Sequence, residues 1–139
     1  MATKKKKRDK PINSRRKGKE GELEVAHIMQ DYGFDARRGQ QFSGLHGDAD
    51  VVGVPYLHLE IKRVKSLNLD KAMEQSIRDA REGEIPIVVH RKDRQPWRVT
   101  IDLDDFMPMY MVWCDEQQAS LQRPEQMESE LPKKPKEEL

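Results

Sequence analysis

Apolar residues recur along the middle of the chain with two different periods, and these periods predict its helices and strands. Leu23, Ala26 and Met29 recur at helical spacing, which predicts a helix over residues 19–33 with Gly33 as its stop. The following segment, residues 34–49, has no regular period and contains several glycines, so it is predicted to be a loop opening from a short strand.

Residues 50–64 show the pattern of two strands. Residues 50–53 predict a brief buried strand, and residues 53–56 form a turn. Residues 57–64 then alternate, because side chains two positions apart share one face of a strand. The apolar face carries Leu57, Leu59 and Ile61, and the opposite face carries His58, Glu60 and Lys62.

The second half predicts one more helix, a hairpin and a short helical end. Asn68 can cap a helix over residues 69–82, whose inward residues would be Leu69, Ala72, Met73, Ile77 and Ala80. Residues 85–90 predict a strand that pairs with residues 97–101 as a hairpin, and a short amphipathic segment with Phe106, Met109 and Tyr110 follows. This order predicts an α/β fold, with a central mixed β-sheet flanked by helices.

Charge is distributed unevenly along the 139 residues, a length that suits a single domain. Charged residues make up 37% and hydrophobic residues only 35%, so part of the chain is predicted to lie outside a core. The formal net charge is +1, but residues 1–20 carry +8 and residues 104–139 carry −5. We therefore expect a basic flexible arm over residues 1–17, a folded domain over 18–114 and an acidic, disordered tail over 115–139.

The composition excludes several classes of protein. No apolar run approaches the roughly 20 residues that cross a bilayer, and no secretory signal follows the basic start. The single cysteine, Cys114, cannot form an internal disulfide or a zinc site of clustered cysteines. Nucleotide-binding glycine motifs are absent, and the four histidines are too scattered for an HNH-type nuclease. A cytosolic protein is expected. Its basic arm could bind a polyanion such as nucleic acid, and the alternatives are a solvated terminus or a nuclear-localisation signal.

One group of charged residues has a spacing that suits chemistry. A hairpin through residues 53–55 would bring Asp50 beside Glu60, and Lys62 shares the face of Glu60. Two carboxylates beside a backbone carbonyl form a site for Mg²⁺, or for Mn²⁺ in its place, and a lysine there can stabilise charge on a phosphate. Glu20 could add a third carboxylate if the first helix packs on the sheet. The alternative is that Glu60 and Lys62 only belong to an exposed strand face, because a Glu-x-Lys pair on a strand is common and usually solvent-exposed.

The ordered set Glu20, Asp50 and Glu60-Ile61-Lys62 resembles the PD-(D/E)xK nuclease superfamily. The segment Lys17-Gly18-Lys19-Glu20-Gly21-Glu22-Leu23 looks like the opening helix of Holliday-junction resolvases of archaeal and phage type. The segments at residues 48–53 and 57–64 look like resolvase-like nucleases of phages. The resemblance covers about residues 14–107 and implies a restriction-endonuclease-like core.

The resemblance implies roles for individual residues. Asp50 and Glu60 would bind Mg²⁺, Lys62 would contact the attacking water or the scissile phosphate, and Glu20 would complete the acidic cluster. Asp48 is a rival of Asp50, and Glu22 is a rival of Glu20. Gln75, on the second helix, is a secondary candidate that would orient the lysine or water. The expected DNA-binding residues lie mostly in the loop before Asp50 and are Arg37, Arg38, Gln40, Gln41, Ser43 and Arg63. Residues 90–94 are either a further DNA contact or a plain hairpin tip.

The favoured hypothesis is a Mg²⁺-dependent endodeoxyribonuclease whose nuclease-like domain spans residues 18–114. Branched DNA such as a Holliday junction is the expected substrate by resemblance alone, since a fold does not fix a substrate. Paired cuts in a symmetric junction would need a homodimer, with residues 106–113 as a candidate interface. Alternatives are a non-catalytic DNA-binding protein on a nuclease fold, or a nuclease for flaps, ends or linear DNA. A role in recombination or repair, in the cytoplasm of a bacterium or a phage-infected cell, would follow.

Overall fold

The computed structural model of the chain describes residues 11–40 and 49–122, with side chains from residue 15 onward. The elements in this part of the chain, in order, are α1 (Pro11–Asp31), β1 (Arg37–Arg38), β2 (Val51–Val52), β3 (Leu57–Arg63), α2 (Leu69–Asp79), β4 (Ile85–Arg91), β5 (Arg98–Ile101) and α3 (Leu103–Leu121). The chain divides into two compact units, the first ending at Thr100 and the second beginning at Ile101. Within the described ranges, no helix is both long and apolar enough to span a membrane.

The strands form one mixed sheet of five strands in the order β1-β2-β3-β4-β5. β1 pairs antiparallel with β2, and β2 pairs antiparallel with β3 through a short turn, whereas β3 and β4 run parallel and are joined by α2. A parallel pair needs such a crossover because a short turn cannot return the chain to the same end. The predicted α/β fold with a central mixed sheet flanked by helices is confirmed.

The two helices of the first unit lie on opposite faces of β3. Gly21 of α1 approaches the side of Arg63, so close that an added Cβ would lie 3.1 Å from Arg63 Cβ. Met73 of α2 packs instead around Val88, which is paired with Glu60 and therefore shares its face. Because Arg63 and Glu60 are three positions apart on one strand, they project from opposite faces. The polar face of β3 is thus the face that α2 covers.

Helix boundaries follow local capping chemistry. The N-cap prediction for Asn68 is confirmed, since its Oδ1 accepts a hydrogen bond of 3.1 Å from the Lys71 N–H. α2 ends at Asp79 rather than at residue 82, because Ala80 has extended backbone angles. α1 begins at Pro11 instead of residue 19, and the left-handed Gly33 (φ +97°) follows its end.

The predicted inward face of α2 differs from the observed one at a single turn. Ile77 was expected inward but is 49% exposed, whereas Ser76 is fully buried. The Ser76 hydroxyl lies 3.3 Å from the His58 carbonyl oxygen and 3.1 Å from that of Ile87, to which it donates. The small Ser76 hydroxyl thus contacts the backbone of both parallel strands where the helix crosses them.

The second unit contains α3, a helix of 19 residues where the sequence predicts only a short amphipathic segment. None of its residues is buried, and its aromatic rings form a column in which Tyr110 lies 6.1 Å from both Phe106 and Trp113. α3 extends into the predicted tail. Residues 11–17 of the predicted arm and residues 115–121 of the predicted tail are helical, whereas residues 1–10 and 123–139 lie outside the described residues, and what was predicted of them stays a prediction.

Candidate active site

The hairpin between β2 and β3 sets the position of two carboxylates. Val51 pairs with Leu59 in the antiparallel register, which brings Asp50, one residue before Val51, to the level of Leu59 and Glu60. The Asp50 N–H donates a hydrogen bond of 3.0 Å to the Leu59 carbonyl. The side chains of Asp50 and Glu60 are hydrogen-bonded to each other. The sequence-based expectation that this hairpin brings Asp50 beside Glu60 is confirmed.

Backbone contacts hold the Asp50 side chain in one orientation. Its Oδ2 accepts a hydrogen bond of 2.8 Å from the Ile61 N–H, across the end of the hairpin. Asp50 is 6% exposed and Glu60 only 3% exposed, so both carboxylates are withdrawn from water. Lys62 projects on the same face, with its Nζ 3.3 Å from Glu60 Oε1. Asp50, Glu60 and Lys62 therefore form one contiguous group at the edge of the sheet.

The electrostatics of this group favour a proton on Glu60. Burial, first, and then the neighbouring Asp50 carboxylate raise the pKa of Glu60 to about 7, against the opposing effect of the Lys62 ammonium. A buried carboxylate that keeps its proton near neutral pH marks a site where negative charge is crowded. A cation bound beside Asp50 would relieve this crowding and favour the ionised form of Glu60.

The group lies in a cleft of about 510 Å³. Its wall comes from α1, from β3 with the residues that follow it, and from α2. The lining residues are Lys17, Gly18, Glu22, Asp50, Glu60, Ile61, Lys62, Arg63, Val64, Lys65 and Gln75. Of the predicted catalytic residues, Asp50, Glu60 and Lys62 are brought together here. The secondary candidate Gln75 also lines the cleft.

Glu22, rather than Glu20, is the α1 carboxylate in this cleft. Glu22 is 9% exposed, and its Oε2 accepts a hydrogen bond of 2.5 Å from Arg38 Nε. Burial raises the pKa of Glu22, Arg38 lowers it, and Asp50 raises it again, which places Glu22 within the field of the carboxylate pair. Glu20 does not line the cleft. Its side chain is 49% exposed and pairs with Arg16 and Arg63.

The face of α1 explains this difference. The helix was predicted to turn Leu23 inward, but Leu23 is 39% exposed, and the buried positions are Gly21, Glu22, Val25 and Ala26. Because Gly21 has no side chain, the helix can approach β3 on this side. The buried face of α1 is therefore centred on Gly21, Glu22 and Val25 and not on Leu23. Gly18, Glu22 and Ala26 follow one another at the four-residue spacing of a single helix face. That spacing was the signal available in the sequence for choosing Glu22.

The predicted DNA-binding residues separate into three groups. Arg63 lines the cleft, and its Nε donates to Asp93 Oδ1 at 3.0 Å. Arg37 and Arg38 form β1, where Arg37 is exposed and Arg38 is engaged with Glu22. Gln40 is exposed just after β1. Three further predicted residues lie outside the described residues, namely Gln41, Ser43 and the metal-ligand candidate Asp48.

Sequence reasoning did not identify Lys17 as a cleft residue. It falls in the segment predicted to be a flexible arm, yet it lies on α1 and lines the cleft. Its Nζ lies 2.9 Å from Asp93 Oδ2, on the turn between β4 and β5. Its position could have been inferred from Gly21, which lies four residues later and therefore on the same face of the helix, because Gly21 is where α1 meets the sheet.

His58 belongs to a different, smaller cavity of about 160 Å³ at the other end of β3. It is 2% exposed, and its Nδ1 lies 3.8 Å from Glu84 Oε1. His58 does not line the larger cleft.

The donor set of the cleft fits a divalent cation with a preference for oxygen ligands. Asp50 and Glu60 are adjacent, oxygen-bearing and crowded by like charge. No group of three or more His, Cys, Asp or Glu side chains in the described residues is arranged to hold a metal ion. A pair is nevertheless the usual protein contribution to a Mg²⁺ site, in which water and substrate phosphate complete the octahedron. The residues present therefore fit Mg²⁺ or Mn²⁺ better than Zn²⁺, which prefers nitrogen and sulfur ligands.

Comparisons with known proteins place the chain beside a nuclease family. A family model described as "Phage putative PDDEXK endonuclease" matches residues 13–125 of the chain. Among solved structures, the chain is similar to Hjc, a Holliday junction resolvase from the archaeal hyperthermophile Archaeoglobus fulgidus. That similarity has 29% sequence identity and a TM-score of 0.48, and it covers 61% of this chain and 72% of the other. No curated protein matches the chain.

Proposed function

The chain belongs to the phage PDDEXK endonuclease family, and we propose on that basis that it is a divalent-metal-dependent endonuclease that cleaves branched DNA. Membership establishes a nuclease of the PD-(D/E)xK type. The observation that carries the metal-dependent step is the group Asp50, Glu60 and Lys62, with Glu60 buried and its pKa raised to about 7. Ionisation of both carboxylates costs free energy here, and a bound cation would compensate that cost.

Each residue of the group has a separate task in phosphodiester hydrolysis. Asp50 and Glu60 hold the divalent cation, and Ile61 fixes the orientation of Asp50 through its N–H. When bound, the cation supplies Lewis-acid polarisation of the phosphate and lowers the pKa of a water molecule. Lys62 lies 3.3 Å from Glu60 and places a positive charge where the phosphate oxygens gain negative charge. Glu22 is the proposed third carboxylate, in place of Glu20, because it lines the same cleft.

Mg²⁺ is the proposed cofactor, with Mn²⁺ as a substitute. The ligands are carboxylate oxygens, and Mg²⁺ commonly binds through one or two of them together with substrate phosphate. Cleavage should therefore require Mg²⁺ or Mn²⁺ and should stop when EDTA is added. The DNA-binding role proposed for Arg37, Arg38, Gln40 and Arg63 is that of phosphate contacts, which position DNA without reading its sequence.

Branched DNA and a homodimer are the finer parts of the proposal. The support for a junction substrate is the resemblance of residues 17–23 to the opening helix of Holliday-junction resolvases. Two paired cuts need two copies of the site, hence a two-fold symmetric dimer. The exposed aromatic column of α3, with Phe106, Tyr110 and Trp113, supplies an apolar surface for such a dimer. The proposed location is the cytoplasm, as for an enzyme of recombination or repair.

Cleavage of labelled DNA tests the proposal directly. A four-way junction, a flap and a linear duplex are incubated with Mg²⁺ or Mn²⁺ and the native chain, Asp50→Asn, Lys62→Ala or Lys71→Ala. We expect the native chain and Lys71→Ala, a control at an exposed lysine of α2, to cut the junction in symmetric pairs. Asp50→Asn and Lys62→Ala should bind DNA without cutting. Absence of any cleavage with either metal would reject the nuclease proposal, and cleavage of the duplex or the flap alone would reject the junction substrate.

A further inference from the structure

The turn between β4 and β5, together with the first residue of β5, carries three exposed cations. Lys92, Arg94 and Arg98 are exposed, and their side chains form no ion pair with any residue in the described part of the chain. The one carboxylate of the turn, Asp93, is engaged instead with two cations of the first unit. The turn therefore presents uncompensated positive charge to solvent.

Asp93 fastens this turn beside the cleft. Its Oδ2 lies 2.9 Å from Lys17 Nζ, and its Oδ1 accepts a hydrogen bond of 3.0 Å from Arg63 Nε. Hydrogen bonds from Lys17 and Arg63 lower the pKa of Asp93, so it stays ionised in this position. Lys17 and Arg63 both line the cleft. Asp93 therefore links the turn that carries the exposed cations to two residues of the cleft wall.

A second set of contacts holds the far side of the turn. Trp97 Nε1 donates to Glu24 Oε1 at 2.9 Å, and Arg91 Nη2 donates to Glu24 Oε2 at 2.9 Å. The Arg91 guanidinium also lies over the Trp97 ring, 5.1 Å from its centroid. Both ends of the turn are therefore tied to α1. A surface held in place in this way loses little conformational freedom when it binds a partner.

Arg94 has a backbone conformation that arginine adopts at a cost. Its φ is +62°, in the left-handed region where glycine and asparagine are the favoured residues. The turn could therefore form more easily with glycine at this position. What arginine adds is its guanidinium, a planar group with several donors that suits phosphate oxygens.

From these observations we propose that Lys92, Arg94 and Arg98 form a phosphate-contacting surface for the duplex arm of the DNA substrate, beyond the phosphate that is cut. This surface is called the turn surface. The nature of its partner rests on the proposed nuclease function, because the cleft that it adjoins is the proposed DNA cleft. Contacts of this kind bind any sequence, and each released counterion makes the affinity depend on salt.

Binding measured without cleavage tests the turn surface. Fluorescence anisotropy of a labelled DNA duplex in EDTA gives the dissociation constant at several salt concentrations. We compare the native chain with four variants. Two are the single substitutions Arg94→Gly and Arg94→Lys, one is a double variant that carries both Lys92→Ala and Arg94→Gly, and the last is the control Arg81→Ala. Arg81 is an exposed arginine at the smaller cavity, at the other end of β3 from the cleft.

Arg94→Gly should weaken binding by roughly fivefold to tenfold near 0.1 M salt and reduce the slope of log affinity against log salt by about 0.9. The double variant should reduce that slope by about twice as much. Arg94→Lys should retain most of the affinity, and Arg81→Ala should match the native chain. The melting temperature of Arg94→Gly should not fall, because glycine adopts the positive φ freely. Arg94→Asn repeats the test with a second residue that tolerates this conformation.

The outcomes separate this proposal from the nuclease function. If the native chain cleaves DNA but Arg94→Gly and Arg94→Asn keep native affinity and salt dependence, the turn surface is rejected and the nuclease stands. An equal loss in Arg81→Ala would also reject it, since the effect would then reflect net charge alone. If affinity depends on Arg94 but no metal supports cleavage, the turn surface stands and the nuclease function fails.

Discussion

Replacing Glu60 by glutamine should make the metal-free protein more stable at alkaline pH while removing its cleavage activity. The carboxylate of Glu60 is 3% exposed and lies beside the Asp50 carboxylate. Its ionised form is disfavoured by burial and by repulsion from Asp50, and Lys62 compensates only in part. An amide has nearly the same shape as the protonated carboxyl group and cannot ionise, so Glu60→Gln removes this cost at every pH.

The size of the effect follows from the shift in pKa. The pKa of Glu60 rises from 4.5 to about 7 on folding, so the folded state binds a proton more tightly than the unfolded state does. The contribution of Glu60 to the free energy of unfolding should therefore be fully present below pH 4.5, decrease between pH 4.5 and 7 and be lost above pH 7. The full difference is on the order of 3 kcal/mol, an upper bound because water entering the cleft screens the charges. At pH 8 Glu60→Gln should be more stable by about 2 kcal/mol, and near pH 4.5 the two chains should be about equally stable.

Urea unfolding in EDTA at several pH values measures this difference. Glu82→Gln is the control, because Glu82 is an exposed carboxylate after α2 and its replacement should leave the pH profile parallel to that of the native chain. Added Mg²⁺ should stabilise the native chain at pH 8, by about 2.7 kcal/mol at 100 times the dissociation constant, and should stabilise Glu60→Gln much less. Parallel pH profiles for the native chain and Glu60→Gln would refute the account of the carboxylate pair. So would a lower stability of Glu60→Gln at pH 8.

Two further predictions concern α1. Glu22→Gln should reduce the rate of DNA cleavage by roughly two orders of magnitude, because it removes a cleft carboxylate, whereas Glu20→Gln should change it less than about threefold. Equal effects in the two variants, measured in single-turnover cleavage, would contradict the assignment. Gly18→Ala should raise the free energy of unfolding by about 0.5–1 kcal/mol, since its Cβ meets no atom within 4 Å and alanine favours the helix. Gly21→Ala should not show this gain, because its Cβ would lie 3.1 Å from that of Arg63, and the displaced helix should slow cleavage. A gain in Gly21→Ala equal to that of Gly18→Ala in urea unfolding would show that α1 does not need the close approach.

The hairpin that carries the carboxylate pair was predictable from the sequence for a simple reason. Alternation with period two assigns every side chain of β3 to a face, and the short turn after β2 leaves few possible registers. Gly53 has a φ of +90° and lies so close to Asp35 that no side chain fits, which fixes the turn further. Local rules were therefore sufficient to place Asp50 opposite Glu60.

The position of α1 was not predictable in the same way. The hydrophobic pattern favours the face with Leu23, because a pattern weighs large apolar residues most. The structure instead buries the face of Gly21 and Glu22, where the absence of a side chain lets the helix approach Arg63. How closely α1 can approach β3 depends on the surface around Arg63, which is distant from Gly21 in the sequence. The same reason applies to Ser76, whose burial depends on carbonyl oxygens of two strands.

The charges around the cleft connect these observations. Asp50 Oδ2 accepts the Ile61 N–H, a neutral donor that orients the carboxylate without removing its negative charge. Lys62 offsets part of this charge, but burial of Glu60 and its repulsion by Asp50 still raise the pKa of Glu60. If the cleft were more open, water would screen the pair and the free protein would be more stable. It would then also bind a divalent cation less strongly, because the relief of repulsion is part of the binding free energy. The instability of the ionised pair in the metal-free protein and its affinity for a cation therefore have the same physical origin.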